Sequence, residues 1–461
     1  MTAAQMAQGQ LLGAADTAWW HMEQADNQMS ITTVMVFDGR LDFEHLHYIV
    51  ATRLLAYDRF RERIAEPPIP LAQPMWVRDE DFSLDRHLRR LTLPAPGGRR
   101  ELEDVVGRLM STPLDYAHPL WSFTYVDGFQ EGSAVIGRFH HCIADGMALV
   151  ELLLHLDDPG GPAEPAQGTG TGNVNGHGHG HSDGQGYGHG GLLEMPLRLA
   201  SGGLRLGGSV LGVAGKLLSM GNDTATPLRG PLSVEKRAAW SAPVPLLALK
   251  EAAHHCGATL NDLVACAISG SLHDWLKQRM TLRPETVLRA VVPVNLRQPS
   301  ECGQLGNRFG LVWLSLPVGL ADPLERLKAL KRTMDGIKRS PEAPIVLGLL
   351  GFFGRTTRTA VHLAVQFLGR GATLVFTNVA GPRESVRFCG HRMQELMAWV
   401  PQSGRLGIGM SVISYAGEMR LGVATDAGLV QRPTELVESY HRSLEGILDR
   451  AGAHVALSAT G

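Results

Sequence analysis

The sequence predicts a mixed α/β fold built in two halves, and three observations carry that prediction. At 461 residues the chain is longer than one hydrophobic core usually serves. Both halves alternate short, partly β-branched apolar runs with segments of helical periodicity, without a repeat at any fixed period. Between them, from Asp157 to Gly191, the composition collapses into Pro, Gly, His, Thr and Ser, with too little apolar surface to order a chain. The expected division is 1–156, a connecting segment over 157–232, and 233–461.

In the first half, Met29 to Phe37 reads as a strand ending at Asp38-Gly39. Asp42 then caps a helix carrying Leu46, Ile49, Val50 and Leu54. Leu102, Val105, Val106, Leu109 and Met110 recur at helical spacing within Arg100 to Met110. Leu120 to Val126 and Ala134 to Phe139 flank the turn residues Asp127 to Gly132, which predicts a hairpin. Its second strand delivers Phe139-His140-His141-Cys142-Ile143-Ala144-Asp145-Gly146, and Met147 to His155 has the pattern of a buried helix. Two histidines therefore sit where a strand hands over to a helix.

In the connecting segment, His177, His179, His181 and His189 lie among glycines, a set able to hold a metal but ordinary for a flexible linker. Gly186-x-Gly188-x-x-Gly191 matches a dinucleotide fingerprint by letter only, since no strand precedes it. Leu192 to Met220 is apolar with isolated Arg198, Arg205 and Lys216, suited either to a membrane interface or to an internal packing helix.

The second half opens near Ser233, with Pro243 and Pro245 before a helix that Gly257 closes. Thr259-Leu260-Asn261-Asp262 has the spacing of a capping box, which gives Asn261 and Asp262 a structural reading. Leu288 to Val294 and Phe309 to Pro317 read as buried strands, and Asp322-Pro323 starts an amphipathic helix through Ile337. Val375 to Pro382 ends a further strand. Gly407 to Ser414 and Met419 to Ala424 form a hairpin about Ala416-Gly417, and Thr434 to Leu448 is a closing helix.

The totals narrow the class. A net charge of -2 gives no reason to expect nucleic acid as a partner. Five cysteines without a C-x-x-C spacing fit a reducing compartment better than a disulfide framework or a zinc site. The first residues show neither a basic nor an apolar signal region, so a cytoplasmic protein is expected. The apolar run from Pro344 stops at Arg355, short of the roughly 20 residues that span a bilayer, so any membrane contact is expected to be peripheral.

Adjacent strand residues point to opposite faces, so His140 and His141 diverge, and Cys142 shares a face with His140. That divergence disfavours a metallohydrolase, which needs convergent ligands, and a Cys142-His141 nucleophile pair. The single G-x-S-x-G, Gly180 to Gly184, lies in the Gly/His-rich connecting segment with no strand before it, which disfavours a serine hydrolase. A histidine with an ordinary pKa of roughly 6.5 does suit proton transfer. An aspartate beyond the turn suits pairing with a distant arginine.

His140-His141-x-x-x-Asp145-Gly146 resembles the active-site signature of the CoA-dependent acyltransferase superfamily, which includes chloramphenicol acetyltransferase and peptide-synthetase condensation domains. Further stretches resemble the bacterial wax ester synthase/acyl-CoA:diacylglycerol acyltransferase family: Pro119-Leu120-Trp121, Asn261-Asp262, Pro293 to Arg297, Leu305-Gly306-Asn307 and Thr377-Asn378 through Pro382. The segment from Asp16 to Glu23 resembles that family's opening. The matches run in order along nearly the whole chain.

The resemblance implies two chloramphenicol-acetyltransferase-like domains with a cleft or tunnel between them. It implies an O-acyltransferase moving a long-chain acyl group from acyl-CoA to a fatty alcohol or diacylglycerol, with acyl-CoA as substrate and no cofactor or metal. His141 matches the general base, deprotonating the alcohol for direct attack without an acyl-enzyme. His140 is read as orienting or buried, Asp145 as a structural acid paired with Arg297, and Gly146 as the residue that lets the chain turn into its helix. Asn261 becomes a candidate for positioning ligand or the catalytic loop, Asp262 stays structural, and Pro119-Leu120-Trp121 shapes the acyl cleft or core. Gly306, Asn307 and Asn378 are grouped with them as binding or supporting residues. Peripheral contact with the inner membrane or a lipid droplet follows from the substrates. The alternatives are an acyltransferase for a specialised acceptor and a non-catalytic lipid-binding or droplet protein.

Overall fold

The computed structural model describes residues 9–67, 72–154, 156, 215–216, 219–297, 305–402 and 404–450. The histidine-rich stretch, the Gly186 motif and most of Leu192 to Met220 lie outside the described residues. In the first half the order is β1 (Gln10–Leu11), α1 (Ala14–Met22), β2 (Ser30–Phe37), α2 (Phe43–Thr52), β3 (Glu62–Ala65), β4 (Met75–Arg78), α3 (Leu84–His87) and β5 (Leu88–Thr92). It continues through α4 (Arg99–Ser111), β6 (Trp121–Phe129), β7 (Gly132–His140) and α5 (Gly146–Leu154).

The second half begins with β8 (Lys236–Trp240), β9 (Val244–Pro245), α6 (Leu246–His255), α7 (Leu260–Lys277), β10 (Leu288–Asn295) and β11 (Phe309–Leu316). Then come α8 (Pro323–Lys338), α9 (Glu342–Phe353), α10 (Arg358–Gly369), β12 (Leu374–Ala380), β13 (Arg387–Phe388) and β14 (His391–Trp399). The hairpin β15 (Ile408–Tyr415) and β16 (Glu418–Asp426) precedes α11 (Pro433–Arg450).

Local signals account for most of these elements. The Asp42 side chain accepts from Glu44 N, Asp322 accepts from the amides of Leu324 and Glu325, and Thr259 with Asp262 closes a reciprocal capping box. Gly257, at φ +59°, ends α6 in the left-handed conformation. The β15–β16 turn places Ala416 and Gly417 both at positive φ, as a two-residue hairpin turn requires. The first hairpin is tighter than its turn residues suggest. β6 runs on to Phe129, and a bulge at Gly128 (φ +79°) leaves only Gln130 and Glu131 between the strands.

Both main sheets are mixed. One has the order β13-β14-β2-β7-β6-β5, with β5 and β6 parallel; the other runs β11-β10-β12-β15-β16-β8, with β9 beside β16. β7 is buried along its whole length at the centre of the first sheet, so the residue that follows it emerges at a fixed point. The boundary at residue 233 does not divide the molecule in space. β13 and β14, from the second half, complete the first sheet, with Trp399 registered on Thr32 and Leu396 on Met35. α4 of the first half in turn packs on β8 of the second sheet. A Cβ at Gly107 would lie 2.8 Å from Lys236 O, so that approach depends on glycine.

Glu395 on β14 fastens this crossover. It accepts from Arg99 of α4 at 2.5 Å and from the Trp240 indole of β8 at 2.8 Å. Removing it leaves a largely buried guanidinium uncompensated. Glu395→Ala is expected to lower the unfolding free energy by about 2 kcal/mol or more, measured by urea denaturation, with Glu395→Gln losing less.

Candidate active site

His140 ends β7, and its amide donates to Leu120 O at 2.9 Å. Its ring is fully buried behind the turn, beside Trp20 and Tyr116. Nδ1 accepts from Cys142 N at 3.1 Å, so the ring proton sits on Nε2, which lies 3.3 Å from Glu23 Oε2. The Cys142 thiol lies 2.9 Å from the same Nδ1, and burial pushes its pKa well above the ordinary value. A thiol held in that form is no nucleophile.

His141 turns the other way. Its amide donates to Met29 O at 2.7 Å, and its ring stacks on Trp19 at a centroid distance of 4.2 Å with planes 9° apart. Phe309 covers it from a second side at 5.3 Å. Nδ1 lies 2.8 Å from Asn307 Oδ1. Asn307 Nδ2 donates both to His141 O and to Asp16 Oδ1, each at 2.7 Å. Two acceptors on one side of the carboxamide fix which end is the amine, so Oδ1 faces the imidazole. An acceptor there requires a proton on Nδ1, which leaves the Nε2 lone pair free. Burial lowers the His141 pKa from 6.5 to about 4, against the opposing influence of Asp145, the residue's own backbone and Asn307. The ring is therefore neutral across the physiological range.

Asp145 locks the turn. Its Oδ2 accepts from Arg297 Nη2 at 2.8 Å and from Arg308 N at 3.2 Å, while Oδ1 accepts from Ala148 N at 3.0 Å in the first turn of α5. The backbone joins in a short parallel bridge, with Gly306 N donating to Ile143 O at 3.1 Å and Asp145 N donating to Gly306 O at 3.3 Å. Arg297 Nη2 also donates to Gly306 O at 2.9 Å. Both members of the Arg297–Asp145 pair are nearly excluded from water, with side-chain exposures of 6% and 9%, so each depends on the other.

The glycine requirement differs from the sequence expectation. Gly146 is not in the left-handed region, and a Cβ there would meet only Val400 Cγ1, at an ordinary 3.9 Å. The sharp conformation belongs to Gly306, at φ +101°. Asp145, whose Oδ1 caps α5, supplies the turn that was attributed to Gly146.

The structure thus brings His141, Asp145, Gly146, Arg297, Gly306 and Asn307 together, with His140 behind them. Asn261 Oδ1 accepts from Asn378 Nδ2 at 2.7 Å, tying the start of α7 to β12. Asp262 serves the capping box. Pro119, Leu120 and Trp121 are buried in the core, where the Trp121 indole donates to Phe60 O at 2.9 Å and stacks on His87. Asp16, Trp19 and Glu23 were assigned no role from sequence, yet all three touch the histidines or Asn307. Their spacing of three and then four residues, which puts Asp16 and Trp19 on one face of α1 and Glu23 at its C-cap, was the available signal.

Residues 12–264 match the model of the wax ester synthase/diacylglycerol acyltransferase catalytic domain, and residues 305–448 match the model of the C-terminal domain of that family. The chain belongs to the wax ester synthase/diacylglycerol acyltransferase family. This family member is 29% identical over 455 residues to the probable diacylglycerol O-acyltransferase tgs1 of Mycobacterium tuberculosis, covering 97% of this chain and 96% of that one. Its fold is similar to the wax ester synthase/diacylglycerol acyltransferase from Marinobacter aquaeolei VT8, with a TM-score of 0.69 at 21% identity over 96% of this chain and 100% of the other. The first condensation domain of the calcium-dependent antibiotic synthetase shares the fold at a TM-score of 0.61 and 14% identity, over 96% of both chains. The two-domain acyltransferase architecture is therefore that of this protein, an acyl-CoA-dependent O-acyltransferase.

Because Arg297, crossing from the second half, pairs with the buried Asp145 carboxylate, Arg297→Ala is expected to cost about 3 kcal/mol. Hydrogen exchange at the amides of Gly306 and Asp145, which form the bridge, should rise in that variant, while the amides of β16 keep their protection.

Proposed function

We propose that this acyltransferase moves a long-chain acyl group from acyl-CoA to a fatty alcohol or diacylglycerol by direct attack, with His141 Nε2 as the general base. The observation that carries this reading is the neutral, buried imidazole whose Nδ1 proton is committed to Asn307. The acceptor hydroxyl gives its proton to Nε2 as its oxygen bonds to the thioester carbon. The carbon–sulfur bond then breaks, and the proton passes from the imidazolium to the departing CoA sulfur. Two substrates meet in one step, so no acyl-enzyme forms, which agrees with the inert state of Cys142.

Asp145 and Arg297 take no proton in this scheme; they hold the turn that presents His141. Asp16 acts one residue further back by orienting the Asn307 carboxamide. Burial raises the Asp16 pKa from 3.8 to about 6, so its carboxylate is ionised at neutral pH, where it accepts most strongly from Asn307 Nδ2. The reaction requires acyl-CoA as substrate and no further cofactor. Among the described residues no helix is long and apolar enough to cross a membrane. The lipid nature of the substrates supports peripheral contact with the cytoplasmic face of the inner membrane or with a lipid droplet.

The test is thiol release from palmitoyl-CoA with hexadecanol, with dioleoylglycerol, or with no acceptor. Acceptor-dependent release should fall about 10²- to 10⁴-fold in His141→Ala, with the variant still folded by circular dichroism; full activity in that variant would overturn the base assignment. A protonated base cannot accept, so activity is lost as pH falls through the folded pKa. The limb due to His141 should then lie near pH 4 rather than 6.5.

A further inference from the structure

α9 and α10 are apolar helices that both pack on α1 and that, among the described residues, leave large side chains exposed. Phe352, Leu363 and Phe367 are 62%, 65% and 39% exposed, although each is a large hydrophobic side chain. On α9 the outward positions Pro344, Gly348 and Phe352 recur every four residues, and a Cβ at Gly348 or Gly351 would meet nothing within 4 Å. On α10 the outward positions are Thr359, Leu363 and Phe367, again four apart, with Arg370 at the end. Scattered single hydrophobics are ordinary on a surface, but three large ones on two successive helices that pack on the same helix are not.

The exposed charge on these two helices has one sign. Between residues 342 and 371 the basic residues Arg355, Arg358 and Arg370 are all exposed, while the sole acid, Glu342, is fully buried. Glu342 accepts from Trp313 N and pairs with Lys216, so it offers no negative charge outward. The half-exposed carboxylate beside them, Glu66, is paired with Arg358, so apolar side chains flanked by Arg355 and Arg370 complement a surface that is oily inside and anionic outside.

The face also sits against the site. α9 and α10 pack on α1, where a Cβ at Gly354 would lie 1.7 Å from Ala14 O, so the two backbones touch. Arg358 pairs with Glu66 at 2.8 Å and lies 5.8 Å from the Trp20 ring. The neighbouring residue, Trp19, carries the stack on His141. One helix, roughly 10 Å across, separates this face from the proposed base.

We propose that the α9–α10 pair docks the enzyme on an anionic phospholipid bilayer, with Phe352, Leu363 and Phe367 entering the acyl layer and Arg355 and Arg370 meeting headgroup phosphates. The proposal rests on the reading that the substrates are membrane-borne lipids, and it names the surface that meets them. Burying three large side chains supplies the apolar part of the affinity, and the arginines make it dependent on anionic lipid and on salt.

The test is flotation of the full chain with vesicles of phosphatidylcholine, with and without phosphatidylglycerol, alongside light scattering without lipid. Wild type should float with the phosphatidylglycerol vesicles and release at high salt. The variant Phe352→Ser/Leu363→Ser/Phe367→Ser should lose at least about tenfold in vesicle affinity. Arg355→Glu/Arg370→Glu, confined to exposed side chains, should lose its preference for anionic vesicles, which covers the case in which the triple variant folds poorly. Thiol release with a short, water-soluble alcohol should be unchanged in both variants. Wild-type-like flotation of both variants would overturn this surface while leaving peripheral contact standing. A wild type that floats with neither vesicle would overturn both. A wild-type dimer that the triple variant dissolves would assign the face to a second copy instead. Flotation needs no turnover, so a failure of the acyl-transfer reading would appear separately, in the thiol assay.

Discussion

A single carboxamide, that of Asn307, fixes the chemistry of this molecule. Its amine end is committed to Asp16 and to the His141 carbonyl, and its oxygen is left facing His141 Nδ1. Those three bonds choose the tautomer, hold the ring plane against Trp19, and leave one nitrogen available. A histidine buried this deeply would otherwise be free to carry its proton on either nitrogen, and the population protonated on Nε2 would present no lone pair there to a hydroxyl.

The rest of the architecture follows from having to deliver those partners to one point. Asn307 stands just before β11 of the second sheet, Asp16 lies on α1, and His141 leaves β7 of the first sheet. Their mutual position is set by contacts between the halves: the bridge from Ala144 to Gly306, the Arg297–Asp145 pair, and the strand β14 that crosses into the first sheet. Each is buried or part-buried, and a shift of either half would break the carboxamide's geometry before it broke either core. A site between two domains is also where two long substrates can approach from different sides.

Local chemistry made much of this legible in the sequence. Caps at Asp42, Thr259 and Asp322, the Ala416-Gly417 turn, and the periodicity around Val105 each act over a few residues, and the structure contains each of them. Strand geometry predicted the divergence of His140 and His141, although β7 ends at His140 and His141 stands in the turn that follows. The Arg297–Asp145 pair came through the family resemblance, since nothing local links residues that far apart. What stayed hidden was long-range. Asp16 and Asn307 are 291 residues apart, and no propensity or spacing couples them. The crossing of β14 into the first sheet is a choice between two sheets that both accept an alternating strand, and only packing decides it. The turn into α5 is made by the Asp145 cap and not by a left-handed Gly146; position next to a helix is visible in a sequence and φ is not.

The central claim is the tautomer of one ring, and it can be observed directly. Nitrogen-15 NMR of protein labelled at the histidine imidazoles, with His141→Gln used to assign the signal, reports which nitrogen carries the proton. At neutral pH the account predicts a protonated Nδ1 and an unprotonated Nε2 for His141. A proton on Nε2, or a doubly protonated ring at that pH, would contradict it.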